Sequence, residues 1–100
     1  MDLNKTINEE VCTVSIAGRL DTTTAPELEQ FMEETFKEDF KMIKFDLKDL
    51  EYISSAGLRI FLATQKNANK LEREMSLHNV NESVLEVFEI TGFTDILTII

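Results

Sequence analysis

Ile53-Ser54-Ser55-Ala56-Gly57-Leu58 is the segment of this chain whose residue types could do chemistry. Two adjacent hydroxyls are followed by a small residue and a glycine. That composition makes a poor core and a good exposed turn. The segment falls where a predicted strand hands over to a predicted helix. A serine at such a junction lies at or near the helix N-cap, where backbone N–H groups are unpaired and the helix dipole is positive. A phosphate added there would be tolerated by the local field and would still change the surface. The turn is therefore a candidate switch. A second polar loop, Gly18 to Thr24, carries Asp21, Thr22, Thr23 and Thr24.

Other chemistries find less support. Ser55, His78 and Asp21 could act as a hydrolase triad only if the single histidine reached the serine. Neither serine sits in a Gly-x-Ser-x-Gly elbow. There is no Walker or Gly-x-Gly-x-x-Gly loop for a nucleotide. One His, one Cys and scattered carboxylates lack the spacing of a metal site. The expectation is a protein that is not an enzyme and needs no cofactor or metal.

The elements that must position the two loops follow from periodicity. Val11 to Ala17 alternates as a strand, with Cys12, Val14 and Ile16 on one face and Gly18 ending it. Leu3 to Asn8 is expected to pair with it as a hairpin turning near Glu9-Glu10. Thr23 or Thr24 is the expected cap of a first helix, with Pro26 in its first turn. Leu28, Phe31, Met32, Thr35 and Phe36 follow helical spacing. Met42 to Leu47 is the clearest strand, alternating Ile43, Phe45 and Leu47 with Lys44, Asp46 and Lys48. A helix from about Gly57 to Leu71 carries a band wider than one core stripe needs: Leu58, Ile60, Phe61, Leu62, Ala63 and Ala68. That band either is buried on two sides or faces a partner. Met75 to Val80 reads as a strand, Asn81 caps a short helix, and Gly92 stops it. Ile96 to Ile100 could add a last strand.

The predicted order is β-β-α-β-α-β-α-β. It implies one α/β domain over residues 1–100, with a mixed sheet of about four to five strands and helices packed on it. In such sheets the functional crevice lies at the carboxyl ends of the strands. Gly18 to Thr24 and Glu51 to Gly57 both occupy that end. If their strands are neighbours, Asp21 comes close to Ser54 and Ser55. Asp21 would then contact a partner or organise the serine loop, or else cap its own turn.

The chain has 100 residues, 43% of them hydrophobic and 29% charged, the size and composition of one domain with a real core. No apolar run approaches the ~20 residues of a membrane span. The start lacks the layout of a signal peptide, and Cys12 has no partner for an internal disulfide. A cytoplasmic protein is expected. The formal net charge of −9 disfavours nucleic acid and anionic lipid. It leaves two readings: a partner with a basic patch, or acidity that only aids solubility.

Gly18-Arg19-Leu20-Asp21, then Phe45-Asp46-Leu47, then Ile53-Ser54-Ser55-Ala56-Gly57-Leu58 resemble the STAS domain, and more narrowly the bacterial anti-sigma factor antagonists. The likeness covers essentially the whole chain. It implies a monomer that binds an anti-sigma factor, itself a serine kinase of the histidine-kinase-like ATPase type, and so frees a sigma factor. It further implies that the kinase phosphorylates a serine in the turn, that the phosphoprotein lets go, and that a serine phosphatase restores it. Carried over, the acceptor is Ser55, with Ser54 the competing hydroxyl. The implied partner surface is Asp21, Thr22, Thr23, Ser54, Ser55, Ala56, Gly57, Leu58 and Arg59. Two positions depart from the usual pattern: Ser54 stands where Asp is frequent, and Ala56 where Ser or Thr is frequent. The alternative within the same fold is an unphosphorylated STAS subunit of a transporter or sensory complex, acting as a constitutive binding module.

Overall fold

The computed structural model describes residues 1–100. β1 (Asp2–Asn8) and β2 (Val11–Leu20) form the antiparallel hairpin that alternation predicts. Its turn is Glu9-Glu10, both with left-handed φ, 50° and 69°. Side chains rarely adopt that conformation. The Glu10 carbonyl accepts the backbone N–H groups of Lys41 and Met42 at 2.8 and 3.2 Å, which ties the turn to the start of the next strand.

The chain continues through α1 (Ala25–Thr35), β3 (Met42–Asp46), β4 (Leu50–Ile53), α2 (Ser55–Lys70), β5 (Glu74–His78) and α3 (Glu82–Ile90). The sheet order is β1-β2-β3-β5, with β4 also on β2. The β2–β3, β2–β4 and β3–β5 pairs are all parallel. The fold is therefore the expected α/β domain with a mixed sheet of five strands and helices packed on it. No helix is long and apolar enough to cross a membrane.

Three details differ from the sequence reading. β4 lies inside what periodicity leaves as a loop after Leu47. Its four residues run buried, exposed, exposed, buried, so it shows no alternation to find. Gly18 does not end β2: the strand kinks there at φ 98°, shifts register, and continues to Leu20 beside β4. The last predicted strand, Ile96 to Ile100, is only a bridge from Ile99 to Leu77, with Leu77 N–H donating to the Thr98 carbonyl at 2.8 Å. The element order is thus β-β-α-β-β-α-β-α with a bridged tail, in place of the predicted alternation.

The core lies on one face of the sheet. Cys12, Val14 and Ile16 of β2, Ile43 and Phe45 of β3, and Met75 and Leu77 of β5 are buried there with residues from all three helices. Burial raises the pKa of the Cys12 thiol above its ordinary value. The opposite face, with Thr13, Ser15, Lys44 and Asp46, is half-buried. The broad apolar band of α2 is buried on two sides. Leu58, Ile60, Phe61 and Ala68 belong to the core, and Ile60 also lines a cleft toward α1. Only Ala63 of that band is exposed.

Phe61 joins the layers. Its ring meets Phe45 of β3 edge-on at 5.2 Å and Phe88 of α3 at 5.9 Å, the favoured geometry for aromatic pairs. Phe61→Ala is expected to cost about 3–5 kcal/mol through the cavity it leaves between sheet and helices. Urea unfolding checks this, and a loss below about 1 kcal/mol would show that the three rings are not one packing unit.

Candidate functional site

β2 and β4 run in parallel and end together, with Leu20 opposite Ile53. The Ser54 N–H donates to the Leu20 carbonyl at 2.9 Å and closes the pairing. The chain leaves β2 into Asp21 to Thr24, and leaves β4 directly into α2. The two polar loops therefore emerge side by side at the carboxyl ends of their strands, and it is β4, rather than the strand predicted to end at Leu47, that makes them neighbours.

The two serines have different surroundings. Ser54 is the N-cap of α2, extended at φ −97° and ψ 174°, and its hydroxyl accepts the Gly57 N–H at 3.4 Å. It is half-buried. Ser55 is the first helical residue, and its side chain is exposed. One hydroxyl is engaged in the cap and the other faces solvent.

Gly57 explains why the helix can start this close to the strands. A Cβ on it would stand 2.6 Å from Leu20 Cγ and 3.0 Å from Ile53 Cγ1. Hydrogen in place of a methyl lets the first turn of α2 lie on the two strand ends. Leu58 then points into the core, and Ala56 is half-buried on the cleft between α1 and α2. Thr22 borders that cleft from the α1 side, and Arg59 borders it from α2.

Asp21 caps its own turn. Its carboxylate accepts the Thr23 hydroxyl at 2.7 Å and the N–H groups of Thr23 and Thr24 at 3.0 and 3.2 Å. The Thr23 hydroxyl, with the two backbone donors, lowers its pKa below the ordinary carboxylate value. Thr24 holds the N-cap position of α1, yet its hydroxyl turns back to the loop. It donates to the Arg19 carbonyl and accepts from the Asp21 N–H, both at 2.8 Å. The loop is thus braced within itself: its backbone runs beside Ser54, while its carboxylate holds its own threonines and lies 3.9 Å from Arg19 Nε.

Two residues at this end were not singled out by spacing. Arg19 stacks on the ring of Tyr52 at 4.2 Å, and both are exposed. Tyr52 could have been found only by recognising β4, which places it beside Arg19. His78 is not brought to the serines. It lies on β5 level with Asp46 and Ser15, well short of Asp21, and its Nε2 bonds the Ser76 hydroxyl at 2.8 Å. The Ser55, His78 and Asp21 arrangement is therefore not assembled.

The profile of the STAS domain matches residues 2–100. The chain belongs to the STAS domain family. Among STAS relatives, the anti-sigma-B factor antagonist of Bacillus subtilis is 35% identical over 92% of this chain and 84% of its own length. An anti-sigma factor antagonist from Mycobacterium paratuberculosis has a similar structure, with a TM-score of 0.90 at 24% identity over 98% of this chain and 83% of that one. SpoIIAA of Bacillus in its phosphorylated form gives a TM-score of 0.76 at 15% identity, covering 99% of this chain and 91% of that one. These two structural likenesses concern the fold.

The serine turn and the Asp21 loop each give an expected outcome. Gly57→Ala should destabilise by about 1–3 kcal/mol, because the new methyl overlaps Leu20. Adding Leu20→Ala should make the pair less than additive, and strictly additive losses in a double-mutant cycle would refute the contact. The Asp21 carboxylate has a folded pKa below its unfolded value of about 3.9. Its contribution is therefore complete above that value and is lost as pH falls through the folded pKa. The gap in urea midpoint between wild type and Asp21→Asn should be widest at neutral pH and close in acid; a gap independent of pH would contradict the turn cap.

Proposed function

We propose that this chain is an anti-sigma factor antagonist of the cytoplasm, switched off by phosphorylation at Ser55. It binds an anti-sigma factor that is also a serine kinase of the histidine-kinase-like ATPase type, and so frees a sigma factor. The kinase moves the γ-phosphoryl group of ATP onto the Ser55 oxygen, and a serine phosphatase removes it. The chain itself is the kinase's substrate and supplies no catalytic group. Asp21, Thr22, Thr23 and the turn from Ser54 to Arg59 form the contact surface.

The observation that carries the reading is the contrast between the two hydroxyls. Ser54 is half-buried and engaged as the helix cap, whereas Ser55 is exposed at the first helical position. The anti-sigma-B factor antagonist relative supports the role, and the likeness in fold to a phosphorylated STAS protein supports the switch. A phosphate on Ser55 adds about −1.5 to −2 charges and three acceptor oxygens at a surface that must pack against a partner. Desolvation and like-charge repulsion there need supply only ~3 kcal/mol to change affinity by roughly 10²-fold. No rearrangement of the sheet is required.

Phosphopeptide mapping of the protein from its native cells tests the acceptor. Trypsin releases Asp49 to Arg59 with both serines inside, and fragmentation should place the phosphate on Ser55. A peptide that stays unmodified across growth and stress conditions would favour a constitutive binding module. In binding assays with the cognate anti-sigma factor, Ser55→Asp should weaken the complex by about tenfold or more, a loss of ~1.4 kcal/mol. Ser55→Ala should bind as wild type and accept no phosphate. Equal affinity of wild type and Ser55→Asp would count against the switch.

A further inference from the structure

The net charge of −9 conceals a local exception. α2 carries three of the chain's ten basic residues and none of its 19 acidic ones. The three are Arg59, Lys66 and Lys70, and all are exposed. With Ser55 and Ala63 they recur at spacings of three and four, which on a helix is one solvent-facing line. None of the three enters an ion pair. The helices that α2 touches, α1 across the cleft and α3 through Phe88, are the opposite. α1 carries Glu27, Glu29, Glu33 and Glu34, and α3 carries Glu82, Glu86 and Glu89, with no basic residue on either. The fold thus exposes one positive ridge with negative flanks, and Ser55 stands at its head.

Helix electrostatics explain only part of this. Lys70 lies in the last turn, where the dipole favours a cation. Arg59 lies one turn from the positive end, where the dipole gives no reason for one. Glu29 and Glu33 line the far wall of the cleft that Arg59 borders, but Lys66 and Lys70 lie outside that cleft. The ridge as a whole has no partner within the chain.

We propose that this ridge, from Ser55 through Arg59 and Lys66 to Lys70, docks against an acidic face of the anti-sigma partner, and that phosphate on Ser55 acts by cancelling its leading charge. The inference rests on the reading of Ser55 given above and adds the chemistry of the partner's surface. Net charge alone points to a basic partner; the segregation of charge points to an acidic one at this helix. A long polyanion such as nucleic acid or an anionic bilayer would meet the acidic flanks as well as the ridge, whereas a protein surface can match the ridge alone. Helical side chains lean toward the N-terminus, so Arg59 leans over Ser55. A phosphate of about −1.5 to −2 charges one turn away offsets it first. Lys66 stands about 16 Å from Ser55 along the helix axis, beyond a Debye length of about 8 Å at physiological salt. The two lysines therefore test the ridge without touching the switch.

The experiment compares wild type with the Lys66→Glu/Lys70→Glu double variant, using the anti-sigma factor that the wild-type chain binds. Affinity and association rate are measured at low and high salt. The variant should lose about tenfold or more in affinity at low salt, mostly in association rate, and high salt should shrink the difference. The Lys66→Gln/Lys70→Gln variant should fall between them. Both side chains are exposed, so an unchanged urea midpoint confirms that folding is intact. Equal affinity and equal salt dependence across the three proteins would overturn the ridge and leave the Ser55 reading standing. Absence of wild-type binding to any anti-sigma factor would remove that reading and the ridge with it. Wild-type binding to phosphatidylserine vesicles that the lysine substitutions abolish would assign the ridge to a membrane and overturn the proposal.

Discussion

One backbone hydrogen bond, from the Ser54 N–H to the Leu20 carbonyl, holds the two halves of the site together. It is the last rung of the β2–β4 pairing, and that pairing exists because β2 does not stop at Gly18. The left-handed φ at Gly18 lets the strand absorb a register shift and go on beside a second partner. A residue with a side chain would be strained there. Without the extra rungs, the acidic loop and the serine turn would leave different parts of the sheet. With them, two segments far apart in sequence share one surface.

The start of α2 combines a rigid cap with one free hydroxyl. Gly57 permits a close approach of the helix to both strand ends, and Leu58 anchors the first turn in the core. Ser54 satisfies one of the helix's orphan N–H groups. Only Ser55 is left without a structural task. A modification at that position alters charge and shape at the surface while the cap and the packing beneath stay as they are. The site thus has the form of a fixed platform carrying one modifiable group.

Charge is distributed to match. α1 and α3 present acidic residues and no cation, whereas α2 presents its cations to solvent in line with Ser55. Electrostatics of this kind govern encounter and partner choice more than raw affinity, because exposed charges are well screened. The apolar side of α2 is committed to the core through Phe61, which touches both sheet and third helix. Packing therefore uses one face of α2, and its three basic residues stand on the other.

Much of this was legible from residue order alone. Alternation marks β2 and β3, a hairpin partner and a further apolar run mark β1 and β5, helical spacing marks the helices, and cap chemistry marks Asn81, whose side chain accepts the Val84 N–H. These signals are local, so a linear sequence carries them. The serine turn and its place at a strand-to-helix junction were legible for the same reason. Long-range contacts decided the rest. β4 has no alternation because its two exposed central residues are set by its neighbours rather than by its own pattern. Asp21 capping its own threonines, and Ser54 serving as cap while Ser55 stays free, depend on which groups meet in space; the alignment of Arg59 with Lys66 and Lys70 follows from helical spacing, and only the acidic helices beside it are placed by the fold. Residue order carries the helices, four of the five strands and the chemistry available to them; the fold adds β4 and selects which hydroxyl is free, because burial and pairing are properties of neighbours that the chain order does not contain.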